Sequence, residues 1–306
     1  MEAPVLLITF NRADHTRKVF DKIREVRVKK LYVANDAPRD GNNEDRVNRE
    51  KIRNLLDEID WDCELKTLFH EKNCGNGFGP VAAINWAFET EEKLIILEDD
   101  CVPSLPFFDF TNHCLTKYSE DERIWIISGR SHHTNHSAFE NYDYIFSLFA
   151  HTWGWATWKR CWKHFDMNMN EWSTFKENGG FENVFMFENE GKMMNQFYSR
   201  FVQRPINSWD ARWGFTVHSN SGYGIVPAKN LIENIGYYGA HTNGKQKTHE
   251  LSASHDYKIG KEPHFVVLNR EYERFHFNKH IKKIFGKRSL FVRIALKVKR
   301  TIESIF

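Results

Sequence analysis

The sequence predicts an α/β fold, a mostly parallel sheet with helices on both faces. Two observations carry this. Short apolar runs of buried-strand type alternate with amphipathic helical stretches through the first hundred residues. Polar segments bearing candidate binding residues follow these runs, as they do at the carboxyl ends of strands in such sheets. Composition agrees: 306 residues, 41% hydrophobic and 27% charged, suit a packed globule and exclude disorder, a collagen-like chain or a mini-protein scaffold. At roughly 100–200 residues per domain, that is one large domain or two modest ones.

Residues 4–10 are apolar and form the first predicted strand. Asn11 is placed to cap a helix whose apolar face is Val19, Phe20, Ile23 and Val26. Residues 31–35 read as a second strand and 36–41 as a turn. A helix follows with Val47, Ile52, Leu55, Leu56 and Ile59 on one side, then a third strand over 65–70. Gly75, Gly77 and Gly79 read as a tight turn before a helix over 81–88, without the Lys-Ser/Thr of a P-loop or GxGxxG spacing. Residues 94–97 form a fourth strand that runs directly into Glu98-Asp99-Asp100. Asn11, Arg12, Asp36, the glycines and the acidic triplet therefore collect on one rim of the sheet.

Composition changes near residue 150. Seven of the ten tryptophans lie between Trp153 and Trp213, among elements expected to be short and irregular. This suggests units of 1–150, 151–274 and 275–306, the second packed on the first. The Trp153 to Trp162 cluster is read as core in preference to a sugar-stacking surface. From 275 to 306 there are nine Lys/Arg against one acid, Glu303, interleaved with apolar residues. The net charge of +2 thus hides a basic tail on a mildly acidic globule, which argues against a nucleic-acid binder. The tail suits an anionic membrane surface, the alternatives being a docked helix or a nucleic-acid arm. No apolar run is long enough to span a bilayer, and the opening residues carry no export signal, so a cytoplasmic location is expected. Five cysteines without a CxxC pair predict neither a disulfide framework nor a zinc site.

The acidic triplet is the strongest chemical signal. Adjacent carboxylates need a counter-charge or their pKa values rise, and a hard divalent cation such as Mn²⁺ or Mg²⁺ supplies one. The alternative is an acidic surface turn. Three stretches resemble the GT-A-fold nucleotide-sugar glycosyltransferases, and within them the N-acetylglucosaminyltransferase I type. These are residues 3–12, a strand ending in Arg12; residues 97–110, Glu98-Asp99-Asp100 followed by an aromatic helix; and Ser208-Trp209-Asp210-Ala211-Arg212-Trp213. Together they cover about a tenth of the chain.

The resemblance implies a Rossmann-like GT-A half over 1–150 and an aromatic-rich acceptor lobe carrying the catalytic base over 151–274. It implies Asp100 as direct metal ligand, Glu98 and Asp99 as ribose and donor-sugar contacts, Asp36 as acceptor for a uracil imide N–H, and Arg12 as a pyrophosphate contact. A turn or cap residue is the alternative for Asp36, and a solvated first-turn residue for Arg12. Asp210 is the candidate base of an inverting transfer, between tryptophans suited to packing a sugar; the alternative is a helix cap beside core aromatics. The polar segment 239–249 resembles a loop that closes over the donor, with His241 a possible metal contact and Lys245 or Lys247 a phosphate contact. His132, His133 and His136, with no carboxylate at ligand spacing, are read as acceptor contacts or a polar loop in preference to a zinc site.

The expectation is a metal-dependent, inverting transferase moving a sugar from a UDP-sugar to a hydroxyl of a glycan or lipid-linked oligosaccharide in surface polysaccharide synthesis. It would act peripherally on the inner face of the membrane and bind no nucleic acid. The rivals are a sugar-1-phosphate nucleotidyltransferase, which normally has a glycine-rich loop where Thr9-Phe10-Asn11-Arg12 stands, and a non-catalytic membrane-associated glycan-binding module.

Overall fold

The computed structural model describes residues 2–203, 208–236 and 252–282. Strand and helix alternate through the first hundred residues as β1 (Val5–Thr9), α1 (Ala13–Val26), β2 (Lys30–Asn35), α2 (Asn43–Leu55), β3 (Glu64–Phe69), α3 (Gly75–Phe88) and β4 (Lys93–Glu98). β1 is buried along its whole length, as a strand covered on both faces must be. It pairs in parallel with β2 and β4, and β2 pairs in parallel with β3. Val19, Phe20 and Ile23 of α1 are buried in the same core.

The chain continues through β5 (Cys101–Pro103), α4 (Leu105–Lys117), β6 (Ile124–Ser128), β7 (Tyr144–Ser147), β8 (Trp155–Trp158), α5 (Lys159–Trp162), α6 (Trp172–Glu177), α7 (Glu188–Gln203), α8 (Trp209–Ser219), β9 (Tyr223–Pro227), β10 (Ile232–Asn234) and α9 (Arg270–His276). α9 runs on as a π-helical turn over Phe277–Ile281. Eight strands form one sheet in the order β3-β2-β1-β4-β8-β6-β9-β7, and β5 pairs with β10 in a separate ribbon. The fold class is the expected one: mixed α/β, with a large, mostly parallel sheet flanked by helices.

Strand direction determines what meets at the rim. β8 is antiparallel to both its neighbours, β4 and β6. β6 therefore runs the same way as β4. The chain leaving β6 and the chain entering β8 emerge on the rim that already holds the ends of β1, β2 and β4. The sheet draws strands from both sides of residue 150.

Four local expectations need correcting. Asn11 does not cap α1; Arg12 is the capping position and makes no side-chain cap bond, while Asn11 donates to Asp45 at 2.6 Å. The glycine stretch is not a turn before a helix but the first turns of α3 itself, which begins at Gly75. The region after 150 is less irregular than expected, since α7 spans 16 residues. Trp209 and Trp213 offer no sugar-packing surface. They are buried with Trp155 and Trp162, ring centroids 5.1 to 6.5 Å apart, in a cluster joined to the sheet core. The core reading of Trp155, Trp158 and Trp162 agrees with their burial.

A second aromatic core gathers Phe149, Trp172, Phe181, Phe185, Tyr198 and Phe215 from the later elements, and it includes Phe277 and Ile281. The beginning of the basic segment thus docks on the protein. Residues 283–306 lie outside the described residues. All five cysteines are free thiols. Among the described residues no helix is long and apolar enough to cross a membrane.

Candidate functional site

Parallel pairing aligns the strand ends that build the site. Thr9 lies opposite Asn35, and Ile8 opposite Glu98. Asn35 is fully buried and its side-chain amide donates to Thr9 Oγ1 and to the Phe10 carbonyl, both at 2.9 Å, tying the end of β2 to the loop that carries Arg12. Sequence reasoning passed over Asn35, although an Asn at the last position of an apolar strand was a usable signal.

Arg12 reaches across to the acidic triplet. Its guanidinium forms a two-pronged ion pair with Asp99 and a further bond of 2.9 Å from Nη1 to Asp100 Oδ2. Burial acts against the Arg12 charge, but Asp99 and Asp100 outweigh it and raise the guanidinium pKa. Asp99 is 3% exposed, so this partner is what makes its charge tolerable. Glu98 has no such partner among the described residues. Burial first, then the negative charges of Asp100, Asp99 and Asp210, push its carboxyl up to about 8. Glu98 therefore holds its proton at neutral pH.

Asp100 sits where the β5–β10 ribbon folds back on the sheet. Its backbone carbonyl accepts from Ile235 N at 2.8 Å, and Asn234 Nδ2 is 3.5 Å from Oδ1. A Cβ at Gly236 would stand 2.2 Å from Asp100 Oδ2, so only glycine permits this approach. Sequence reasoning missed Asn234 and Gly236, because a ribbon between residues 100 and 236 leaves no local trace. His241, with Lys245 and Lys247, falls in the following segment and lies outside the described residues.

Asp36 is at the same rim but faces another task. Its carboxylate accepts from the backbone N–H of Cys74, Gly75 and Ala37 at 2.8–2.9 Å, holding the first turn of α3. The geometry is that of a helix anchor. Asp210 occupies the first turn of α8, exposed, with Ser208 Oγ donating to its carboxylate. Arg212 steadies that entry by donating to the Ser208 carbonyl at 2.8 Å. Arg12, Glu98, Asp99 and Asp100 are thus gathered, with Asp210 close enough to raise Glu98, while Asp36 is engaged in anchoring α3.

The donor set suits a hard divalent cation at Asp100. The donors on offer are oxygens, and the carboxylates of Asp99 and Asp100 outnumber the one Arg12 guanidinium that meets them. Among the described residues the triplet does not bring three ligand atoms within 4.8 Å of one another; one histidine group does. Asp100 would be the ligand for such an ion among the described residues.

The chain matches no family model, and no curated protein is significantly similar to it. Solved structures that superpose on it include a 4-diphosphocytidyl-2C-methyl-D-erythritol synthase from Anaerococcus prevotii, at TM-score 0.35 and 8% identity over 58% of this chain and 85% of that one. Another is the apo-form glycosyltransferase GlyE of Streptococcus pneumoniae, at TM-score 0.33 and 11% identity over 71% of this chain and 42% of that one. A third is an apo UDP-glucose pyrophosphorylase, at TM-score 0.28 and 10% identity over 48% of this chain and 64% of that one. Likenesses this distant say nothing of chemistry.

Proposed function

We propose that this chain is a metal-dependent glycosyltransferase that takes a UDP-sugar as donor and a hydroxyl of a glycan or lipid-linked oligosaccharide as acceptor, with inversion. The observation that carries the reading is the Glu98-Asp99-Asp100 cluster at the end of a central strand, answered by Arg12 and overlooked by Asp210. Asp100 would hold Mn²⁺ or Mg²⁺ against the donor's diphosphate, and the ion's part is to offset charge on the departing nucleotide. Arg12, already at Asp100, has the fork geometry to share a phosphate. Glu98 and Asp99 would face the sugar and ribose. Asp210 is exposed, so an acceptor hydroxyl can reach it and give up its proton there. Asp36 would read the uracil edge only if one carboxylate can serve both the base and α3. The lobe from 151 to 274 would hold the acceptor, and the basic tail, through its part beyond the docked residues 275–282, would bring the enzyme to an anionic membrane on its cytoplasmic face.

Calorimetric titration with UDP, with and without Mn²⁺, tests the donor site, with GDP and CDP as competitors and Asp100→Ala as control. UDP binding that requires Mn²⁺ and falls at least on the order of 100-fold in the variant is the expected result. No nucleotide binding would end the transferase reading. Release of pyrophosphate from UTP and a sugar 1-phosphate would transfer the site to the nucleotidyltransferase reading, which the same carboxylates could serve. Sedimentation with anionic vesicles, comparing the full chain with one ending at Lys282, tests the membrane contact; equal sedimentation would remove it.

A further inference from the structure

Six histidines gather along the rim beyond β4. His132, His133 and His136 follow β6, His151 precedes β8, and His276 and His280 come from α9 and the π-helical turn after it. Because β6 and β8 are antiparallel neighbours, the chain leaving one and the chain entering the other lie side by side. The C-terminal helix then packs over both. The His132 ring lies 3.9 Å from that of His280 and 4.3 Å from that of His151, centroid to centroid. One ligand nitrogen from each of His132, His151 and His280 falls within 4.8 Å of the other two.

No other described trio of His, Cys, Asp and Glu does this, which departs from the reading of His132 as an acceptor contact or polar-loop residue in preference to a zinc ligand. Two of the rings are also short of hydrogen bonds. His151 Nε2 and both ring nitrogens of the fully buried His276 have no hydrogen-bond partner among the described residues. A buried ring nitrogen without a partner loses its hydration uncompensated, and an ion would supply a partner to one nitrogen of each ring it binds. Burial, and then the other imidazoles, keep His132, His151 and His276 unprotonated, which leaves lone pairs for a ligand.

We propose that His132, His151 and His280 form a binding site for a borderline transition-metal ion, Zn²⁺ foremost, distinct from the carboxylate site at Asp100. Nitrogen donors favour such an ion over Mg²⁺. A tetrahedral site with Zn–N of about 2.0–2.1 Å needs ligand nitrogens about 3.4 Å apart, so modest side-chain rotations close it. His276 is a fourth imidazole within reach, its ring 5.1 Å from His280 and 5.3 Å from His151. The nearby Arg130 guanidinium lies 5.3 Å over the ring of Trp153, a π face that takes up part of its charge. In the sheet β8 lies between β4 and β6, so His132 and His151 hang from the ends of β6 and β8 and the carboxylates from the end of β4. An ion on this trio would pin the last described turn of the chain to the rim. The proposal stands apart from the transferase reading.

The test uses the full chain freed of metal by a chelator. Zn²⁺ is titrated by calorimetry, Co²⁺ is followed by its visible absorption, and Mg²⁺ serves as the comparison. One Zn²⁺ per chain is expected, with a raised Tm and Co²⁺ bands characteristic of nitrogen ligation. Affinity should fall at least on the order of 100-fold in His132→Ala and in His280→Ala, while Asp100→Asn keeps it. His280 lies at the end of the described chain, so its variant reports even if His132→Ala does not fold. Absence of stoichiometric uptake, undiminished Zn²⁺ binding in folded His280→Ala, or loss of uptake in Asp100→Asn would each overturn the assignment.

Discussion

Arg12 is the counter-charge that lets Asp99 sit inside the protein, with 4% of that side chain exposed. Removing one partner of such a pair strands the other, which typically costs about 3–5 kcal/mol. Arg12→Met should lower the free energy of unfolding in urea by an amount of that order, and a loss under about 1 kcal/mol would mean Asp99 is solvated in solution. Glu98 carries the opposite signature. Its folded pKa lies near 8, above its ordinary value of 4.5, so the folded state binds the extra proton between those limits. Stability therefore falls as pH rises from about 4.5 to about 8. Glu98→Gln removes that penalty. The variant's Tm should match the wild type near pH 4.5 and exceed it by at least about 2 °C above pH 8; a pH-independent difference would refute the raised pKa. The acidic triplet itself was legible, because three carboxylates after an apolar strand are a local pattern. The split between a paired Asp99 and an unpaired Glu98 was not, since it depends on where Arg12 lands.

Among the elements, α3 and the β5–β10 ribbon bear most directly on the site. α3 begins at Gly75, and its first amides are satisfied by a side chain just past the end of β2, Asp36. Asp36→Ala should destabilise the protein by about 1–2 kcal/mol, the usual worth of a helix cap. The same variant separates two roles: unchanged UDP affinity in the folded variant would leave Asp36 as an anchor only. In the ribbon, Gly236 gives Asp100 its room. Gly236→Ala should leave the circular dichroism spectrum intact and weaken Mn²⁺-dependent UDP binding at least about 10-fold, in line with the loss of a residue that orients a metal ligand. Unchanged binding would show that the Asp100 carboxylate can move aside freely. Strands and helices of the first hundred residues could be read because β1, β2 and β4 are short continuous apolar runs buried on both faces, while apolar residues recur along α1 and α2 near every 3.6 positions. The glycine-rich start of α3 could not, since glycine disfavours helix locally and tertiary packing overrides it here.

For the whole molecule, the C-terminal segment joins the second core to the rim. Tyr272, Phe277 and Ile281 are buried. At roughly 1.5–3 kcal/mol for each large apolar side chain, a chain ending at Asn269 should lose at least about 5 kcal/mol. A chain ending at Lys282 keeps helix α9 and should be the more stable of the two truncations. Equal melting of both truncations would mean that this helix is not part of the cooperative unit.

The sequence by itself determined the alternation of strand and helix in the first half, the acidic strand end, the tryptophan-rich second half and the basic tail. All are local patterns, set by side chains that are neighbours along the chain. Only the tertiary structure decided which of those neighbours meet others. It laid β8 antiparallel between β4 and β6, turned Trp209 and Trp213 inward, brought Gly236 against Asp100 and drew His132, His151 and His280 together. Strand pairing joins residues more than a hundred positions apart, and the packing that selects one pairing is a property of the assembled core.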